Sequence, residues 1–191
     1  MSATDKPVGP APASQQKKES PVNEKSNVAA PAVAPPPTLT VVQATHNDIP
    51  DICALYKKIW DEYKGKLPMQ LERTWQPSPL EFTSLMEGVT FFTARRDKKL
   101  VGVLGCSEEE GAVRLVHLAV DPEIRHQGIA TALLTSSFEW ARRSGATSTW
   151  VEAMAQFHSA IALFRKAGFK EIGIMHKHLW KEDITLMELV F

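Results

Sequence analysis

Residues 118–131 read Leu118-Ala119-Val120-Asp121-Pro122-Glu123-Ile124-Arg125-His126-Gln127-Gly128-Ile129-Ala130-Thr131, and Leu133-Leu134 follow one residue later. An apolar run ends at Asp121-Pro122, which reads as a strand giving way to a turn, and a helix opens near Gln127. Ile129, Leu133, Leu134, Phe138 and Ala141 recur at steps of three and four, the stripe of an amphipathic helix that Gly145 stops. A loop carrying Arg125 is thus joined to a helix amino terminus. The first amides of a helix have no partners within it, and its aligned peptide dipoles make that end positive, so the turn suits an anion. Gly128 and Ala130 add little bulk, which lets a phosphate approach the backbone, and Arg125 adds a planar fork of donors. A pyrophosphate fits this combination. A Walker loop needs G-x-x-x-x-G-K-S/T and a dinucleotide fingerprint needs G-x-G-x-x-G after the first strand, and neither occurs. The alternative is an ordinary strand-to-helix turn in which Gly128 only permits close packing.

Outward from this stretch the pattern is regular. Leu39 to Gln43 reads as a strand, and Ile52, Leu55, Tyr56, Ile59 and Trp60 fall at helical spacing behind a cap at Thr45 or Asn47. Prolines 68, 77 and 79 break the next segment into a loop, with a short helix from Leu80 to Glu87. Val89 to Arg95 and Lys99 to Ser107 form a predicted hairpin about Arg96-Asp97-Lys98, and Ala112 to Val120 is a third strand. Strand Thr147 to Ala153, helix His158 to Ala167, and strands Lys170 to Leu179 and Ile184 to Phe191 complete the order β-α-α-β-β-β-α-β-α-β-β. The fold class expected is α+β, helices layered on a mixed sheet.

The 191 residues carry 22 basic and 22 acidic side chains, so no charge excess points to nucleic acid or an anionic membrane. Residues 1–38 hold eight of the 13 prolines and none of the 15 aromatic side chains. They cannot bury enough apolar surface to offset the entropy of ordering, and read as a disordered Pro/Ala-rich extension ahead of one domain over 39–191. Cys53 and Cys106 are far apart with no C-x-x-C spacing, so buried free thiols are expected rather than a disulfide or a zinc site. No apolar run is long enough to span a bilayer, and the first residues lack the arginines of a transit peptide and the apolar core of a signal peptide. A cytoplasmic protein is expected, with no membrane or nucleic-acid partner and no metal; a homodimer stays open.

The strand ending L-A-V-x-P, then R-x-x-G-x-A, then a Leu-Leu helix, resembles motif A of the GNAT acyl-CoA N-acyltransferase superfamily. Val151-Glu152-Ala153 followed by Ala160-Ile161-Ala162-Leu163-Phe164 and Gly168-Phe169 is similar to its motif B. The likeness covers residues 39–191 and is nearest in pattern to the N-terminal and small-amine acetyltransferases. It implies a mostly antiparallel central sheet with a splayed parallel pair, β4 and β5, and acetyl-CoA as the acyl donor to a primary amine. The pantetheine would lie in the splay on the backbone of Leu118, Ala119 and Val120. Arg125, His126, Gln127, Gly128, Ile129, Ala130 and Thr131 would hold the pyrophosphate, with Phe157, Ile161 and Phe164 flanking the thioester.

The same likeness carries a base. Where such enzymes place a carboxylate on the fourth strand this chain has Arg114, which cannot accept a proton. Ribosomal-protein alanine N-acetyltransferases instead carry a fifth-strand glutamate twelve residues before the motif B tyrosine, and Glu152 stands twelve before Phe164. Glu152 is the expected general base. Two positions depart from the pattern: the usual acid, a tyrosine, is Phe164, and the usual asparagine is Phe157. A phenylalanine donates no proton. A catalytically weak acyl-CoA-binding domain is therefore the alternative.

Strand alternation places His117 opposite Arg114, Val116 and Leu118, as a packed histidine, and puts His176 and His178 on one face. The acceptor slot of such folds would take Trp60, Tyr63, Met69 and Trp75 on one side and His176, His178, Trp180, Glu182 and Asp183 on the other. Gln156 and His158 sit at the mouth of the second loop, where they could touch cofactor or acceptor. Aromatic walls with a few carboxylates suit an ammonium on an apolar body.

Overall fold

The computed structural model describes residues 38–71 and 75–191. The extension expected over 1–38 lies outside the described residues except for Thr38. In chain order the elements are β1 (Leu39–Gln43), α1 (Ile49–Tyr63), α2 (Pro79–Leu85), β2 (Thr90–Arg96), β3 (Lys99–Glu109), β4 (Ala112–Val120), α3 (Ile129–Arg143), β5 (Ser148–Met154), α4 (His158–Lys166), β6 (Lys170–Leu179) and β7 (Glu182–Val190). That is the order read from the sequence. The seven strands form one sheet, β1-β2-β3-β4-β5-β7-β6, antiparallel throughout except for β4 and β5. A parallel pair needs a long crossover, and α3 supplies it.

Local chemistry sets the ends of these elements. Asp97 and Lys98 (φ 48° and 70°), Glu110 and Gly111 (45° and 93°), and Trp180 and Lys181 (52° and 71°) turn the three tight hairpins. Paired positive φ values match the twist of the flanking strands. Helix α2 begins earlier than its apolar pattern suggests. Ser78 and Glu81 form a reciprocal capping box, and Pro79, whose missing N–H costs nothing there, takes the first turn.

Alternating side chains send the sheet's apolar residues to two cores. Phe92, Leu104, Val113, Leu115 and Val151 pack under α3 and α4 with Ile129, Leu133, Leu134, Ile161 and Phe164. Phe91, Leu100, Val103 and Ala119 pack under α1 and α2 with Ile52, Leu55, Tyr56 and Phe82. A smaller cluster joins Trp60, Leu71, Met154 and Ile184. Cys106 is a buried free thiol whose pKa burial pushes up to about 12, while Cys53 is only half-buried.

Two glycines of β3 let the layers close. A Cβ on Gly102 would stand 2.9 Å from Ile129 Cγ2 and 3.0 Å from Leu133 Cδ1. One on Gly105 would stand 2.8 Å from both Val116 Cγ2 and Val89 Cγ1. The first brings α3 down onto the sheet, and the second makes room behind β4 where that strand bends.

Candidate active site

Strands β4 and β5 are paired only from Ala112 with Ser148 to Leu115 with Val151. Beyond that vertex each continues, β4 to Val120 and β5 to Met154, without pairing to the other. Val116 to Val120 and Glu152 to Met154 therefore line a wedge, with backbone donors and acceptors facing a gap. Such groups call for partners. Leu118, Ala119 and Val120 all lie on this open stretch.

A bulge sets the bend of β4. Gly105 pairs with Val116 and Val103 with Ala119, so His117 and Leu118 together oppose Leu104. The extra residue is His117, at φ 56°. Its carbonyl accepts a hydrogen bond from the buried Tyr56 hydroxyl at 2.8 Å, which ties the bulge to α1. This corrects the alternation argument. The His117 ring lies 6.1 Å from that of Tyr56 and 5.9 Å from that of Phe91. It thus shares the α1 face with Val116, because a bulge breaks the period of two. The expectation of a packed side chain fits this contact. Burial, aided by the Arg114 charge, holds its pKa below the ordinary imidazole value.

The loop after β4 alternates its backbone hand. Arg125 lies at φ −60°, His126 at 62° and Gly128 at 79°, where α3 begins. Arg125 is extended (ψ 166°) and His126 left-handed, so the chain turns sharply into the start of α3. Gly128 offers no side-chain cap, so the amides of Ile129, Ala130 and Thr131 keep no partner within the helix. A Cβ on Gly128 would meet no heavy atom within 4 Å. The packing alternative for this glycine is thereby excluded: left-handed backbone requires it, and the space it faces is open.

Arg125 is paired across the fold. Its Nη1 and Nη2 donate to Glu62 Oε1 and Oε2 at 2.9 and 2.7 Å, a bidentate pair that engages both ends of the fork. Gln127 is likewise engaged, accepting from Arg96. The turn before α3 presents main-chain N–H groups, and Arg125 ties it to the last turn of α1. Asp121, which the sequence reading passed over, does the same from the other end. Buried at 2% exposure, it binds Lys58 Nζ at 2.6 Å and Lys99 Nζ at 3.6 Å, and accepts the Glu123 amide at 3.1 Å. Burial raises its pKa, but the Lys58 hydrogen bond, the Glu123 amide and the two lysine charges outweigh that and hold the carboxyl below its ordinary value. An acid directly after an L-A-V strand, ahead of a proline, was the available signal.

Glu152 is the first residue of β5 past the vertex. Its Oε2 accepts from Arg114 Nη2 at 2.5 Å, and each side chain is about one-third exposed (32% and 35%). Arg114 lies over the Trp150 ring at 5.1 Å. Phe157 caps α4 and packs on Tyr63 at 5.4 Å and on Trp75 at 5.5 Å. With Gln156, His158 and Lys66 it lines a cleft of about 350 Å³ between the end of α1 and the β5–α4 loop. Phe164 does not reach that cleft. It is 3% exposed in the core, 5.3 Å from Phe169.

The rest of the expected acceptor wall divides. Trp60 is a core residue at 4% exposure, edge-on to Trp75, while Met69 and Trp180 are exposed. His176 Nδ1 sits 3.2 Å from Asp183 Oδ2, and Glu182 accepts from Gln156 at 3.1 Å, tying the hairpin to the β5–α4 loop. Lys177, at φ 51°, interrupts the strand between the two histidines, so alternation does not relate them. Among the described residues no three His, Cys, Asp or Glu side chains come together as a metal site, and no helix is long and apolar enough to cross a membrane.

Comparison with known proteins agrees with this architecture. Human N-acetyltransferase 8 is 30% identical over 149 residues, covering 74% of this chain; the chain spans 63% of that relative's length. The [Ribosomal protein bS18]-alanine N-acetyltransferase of Escherichia coli K12 is 33% identical over 79 residues, 39% of this chain and 53% of its own. Among solved structures, the ribosomal-protein-S18-alanine N-acetyltransferase from Escherichia coli superposes with a TM-score of 0.65 at 23% identity, covering 80% of this chain and 94% of its own. PaiA N-acetyltransferase from Thermoplasma acidophilum, in complex with coenzyme A, reaches 0.68 at 17% identity, covering 81% and 99%. The acetyltransferase (GNAT) family matches residues 49–169, more than half of the chain, and the protein belongs to that family.

Proposed function

We propose that this protein transfers the acetyl group of acetyl-CoA to a primary amine by direct attack on the thioester. One observation carries the reading: the β4–β5 wedge opens past Leu115 and Val151, and the strand that forms its edge runs straight into the amide cradle at the start of α3. An amide-bearing pantetheine chain satisfies the free edge of Leu118, Ala119 and Val120, and a diphosphate satisfies the donors of His126 to Thr131. Phe157 flanks the reacting end. The coenzyme A complex of PaiA supports the assignment by fold.

The chemistry follows from the groups at the vertex. Glu152 takes the proton that the acceptor ammonium must lose. The amine nitrogen then forms a bond to the carbonyl carbon, a backbone amide of the splayed strand stabilises the oxyanion, and the carbon–sulfur bond breaks. As the bond breaks the nitrogen gives up its second proton to solvent to become the amide, and the thiolate, a tolerable leaving group, takes a proton from solvent, because Phe164 has none to give. Bracing by Asp121 and Arg125 holds the cradle to α1 through this sequence. Release of free CoA thiol, followed over a panel of amines and amino-terminal peptides at fixed acetyl-CoA, tests the reading. Amine-dependent release supports it. Binding of acetyl-CoA with no release on any amine would leave an acyl-CoA-binding domain instead.

A further inference from the structure

We propose that the acceptor carries a carboxylate beside its amine, as a free α-amino acid does, with Arg114 holding the carboxylate while Glu152 receives the ammonium. The inference rests on the acetyl-transfer reading above and narrows it. Arg114 and Glu152 meet at the wedge vertex, 2.5 Å apart, each about one-third exposed. They present a cation and an anion side by side to whatever enters.

Arg114 is fixed rather than free. Its guanidinium lies over the Trp150 ring, its Nε is buried without a partner, and Nη2 is on Glu152. Nη1 has only Glu109 Oε1 in view, at 3.9 Å, beyond hydrogen-bond reach. Glu152 Oε1 likewise accepts no hydrogen bond among the described residues, since the Arg114 bond falls on Oε2. One donor of the arginine and one acceptor of the glutamate therefore remain for a ligand, on neighbouring side chains.

A zwitterion whose ammonium and carboxylate share one carbon fills both, and its charges alternate with those of the pair. Arginine's planar fork suits a carboxylate. A lysine side chain or a peptide amino terminus brings the ammonium alone. It would leave the Arg114 charge facing a cation, an arrangement that costs affinity. The selection acts before chemistry, so it falls mainly on KM.

The test uses the full chain with saturating acetyl-CoA and matched acceptors, phenylalanine against phenylalaninamide and methionine against methioninamide, with rates referred to the unprotonated amine. A charged hydrogen bond lost in the amide makes kcat/KM about 10- to 100-fold higher for the acid. Arg114→Gln brings that ratio close to one through a rise in KM for the acid, and Arg114→Lys retains part of it. Because both acceptors are compared on the same protein, any change in Glu152 caused by the substitution cancels. A wild-type ratio of one or less, with amides and peptides acetylated, overturns the acceptor class and leaves acetyl transfer standing. No thiol release from any acceptor overturns both.

Discussion

Replacing Gly128 by glutamate separates what the cradle does for the fold from what it does for a ligand. The backbone there is at φ 79°, which costs a side chain about 1–2 kcal/mol. The added Cβ meets no heavy atom within 4 Å, so no packing penalty joins that figure. A domain of this size should lose roughly 2–8 °C in Tm. Binding should change far more. A carboxylate about 5 Å from a diphosphate bearing about two charges is opposed by about 1.7 kcal/mol at a dielectric of about 80 and about 7 at about 20. Even the lower figure is roughly a 15-fold loss in affinity. Calorimetric titration with CoA, with pantetheine as a ligand lacking the diphosphate, reads this directly, and Gly128→Ala reports the strain without the charge. A folded Gly128→Glu protein that binds CoA within twofold of wild type would refute the argument, as would an equal loss for pantetheine.

Glu152→Gln should lower kcat by about 10²- to 10⁴-fold, the usual reach of a general base, with acetyl-CoA affinity within about twofold in a binding titration. Gly102→Ala should destabilise the fold by about 1–3 kcal/mol in chemical denaturation, because the new methyl stands 3.3 Å from the Ala119 carbonyl as well as against Ile129 and Leu133. The His117 pKa is depressed by burial and by Arg114, so below its ordinary value of 6.5 the unfolded chain binds a proton that the folded one refuses. Stability from this group is complete above that pH and is lost as pH falls toward the folded pKa. His117→Asn should flatten unfolding free energy against pH below about 6.5. Asp121→Asn, which removes the charge facing Lys58 and Lys99, should weaken CoA binding without any direct contact to the ligand.

The order of elements and the glycine-bearing turn before α3 were legible because each follows from local rules: alternation in β2 and β3, the three-and-four spacing of Ile129, Leu133 and Leu134, and glycine at 128; the parallel pair came from the resemblance to the GNAT family. What the sequence hid is non-local. The bulge at His117 has no signature in Val116-His117-Leu118; its carbonyl accepts from Tyr56, 61 positions away, and the bulge reverses the face assigned by alternation. Arg125 looked like a free fork because Glu62, its partner, lies 63 positions earlier on another element. Arg114 was legible only as a base that could not act. Its pairing with Glu152 depends on the register of β4 against β5.

The central claim is that one ligand spans the wedge and the cradle together. Hydrogen–deuterium exchange with and without CoA measures it residue by residue. CoA should slow exchange in two stretches, residues 116–120 along the splayed edge of β4 and residues 126–131 at the start of α3, with the hairpin of β2 and β3 unchanged. Binding that protects neither stretch, or protects another face of the sheet alone, would contradict it.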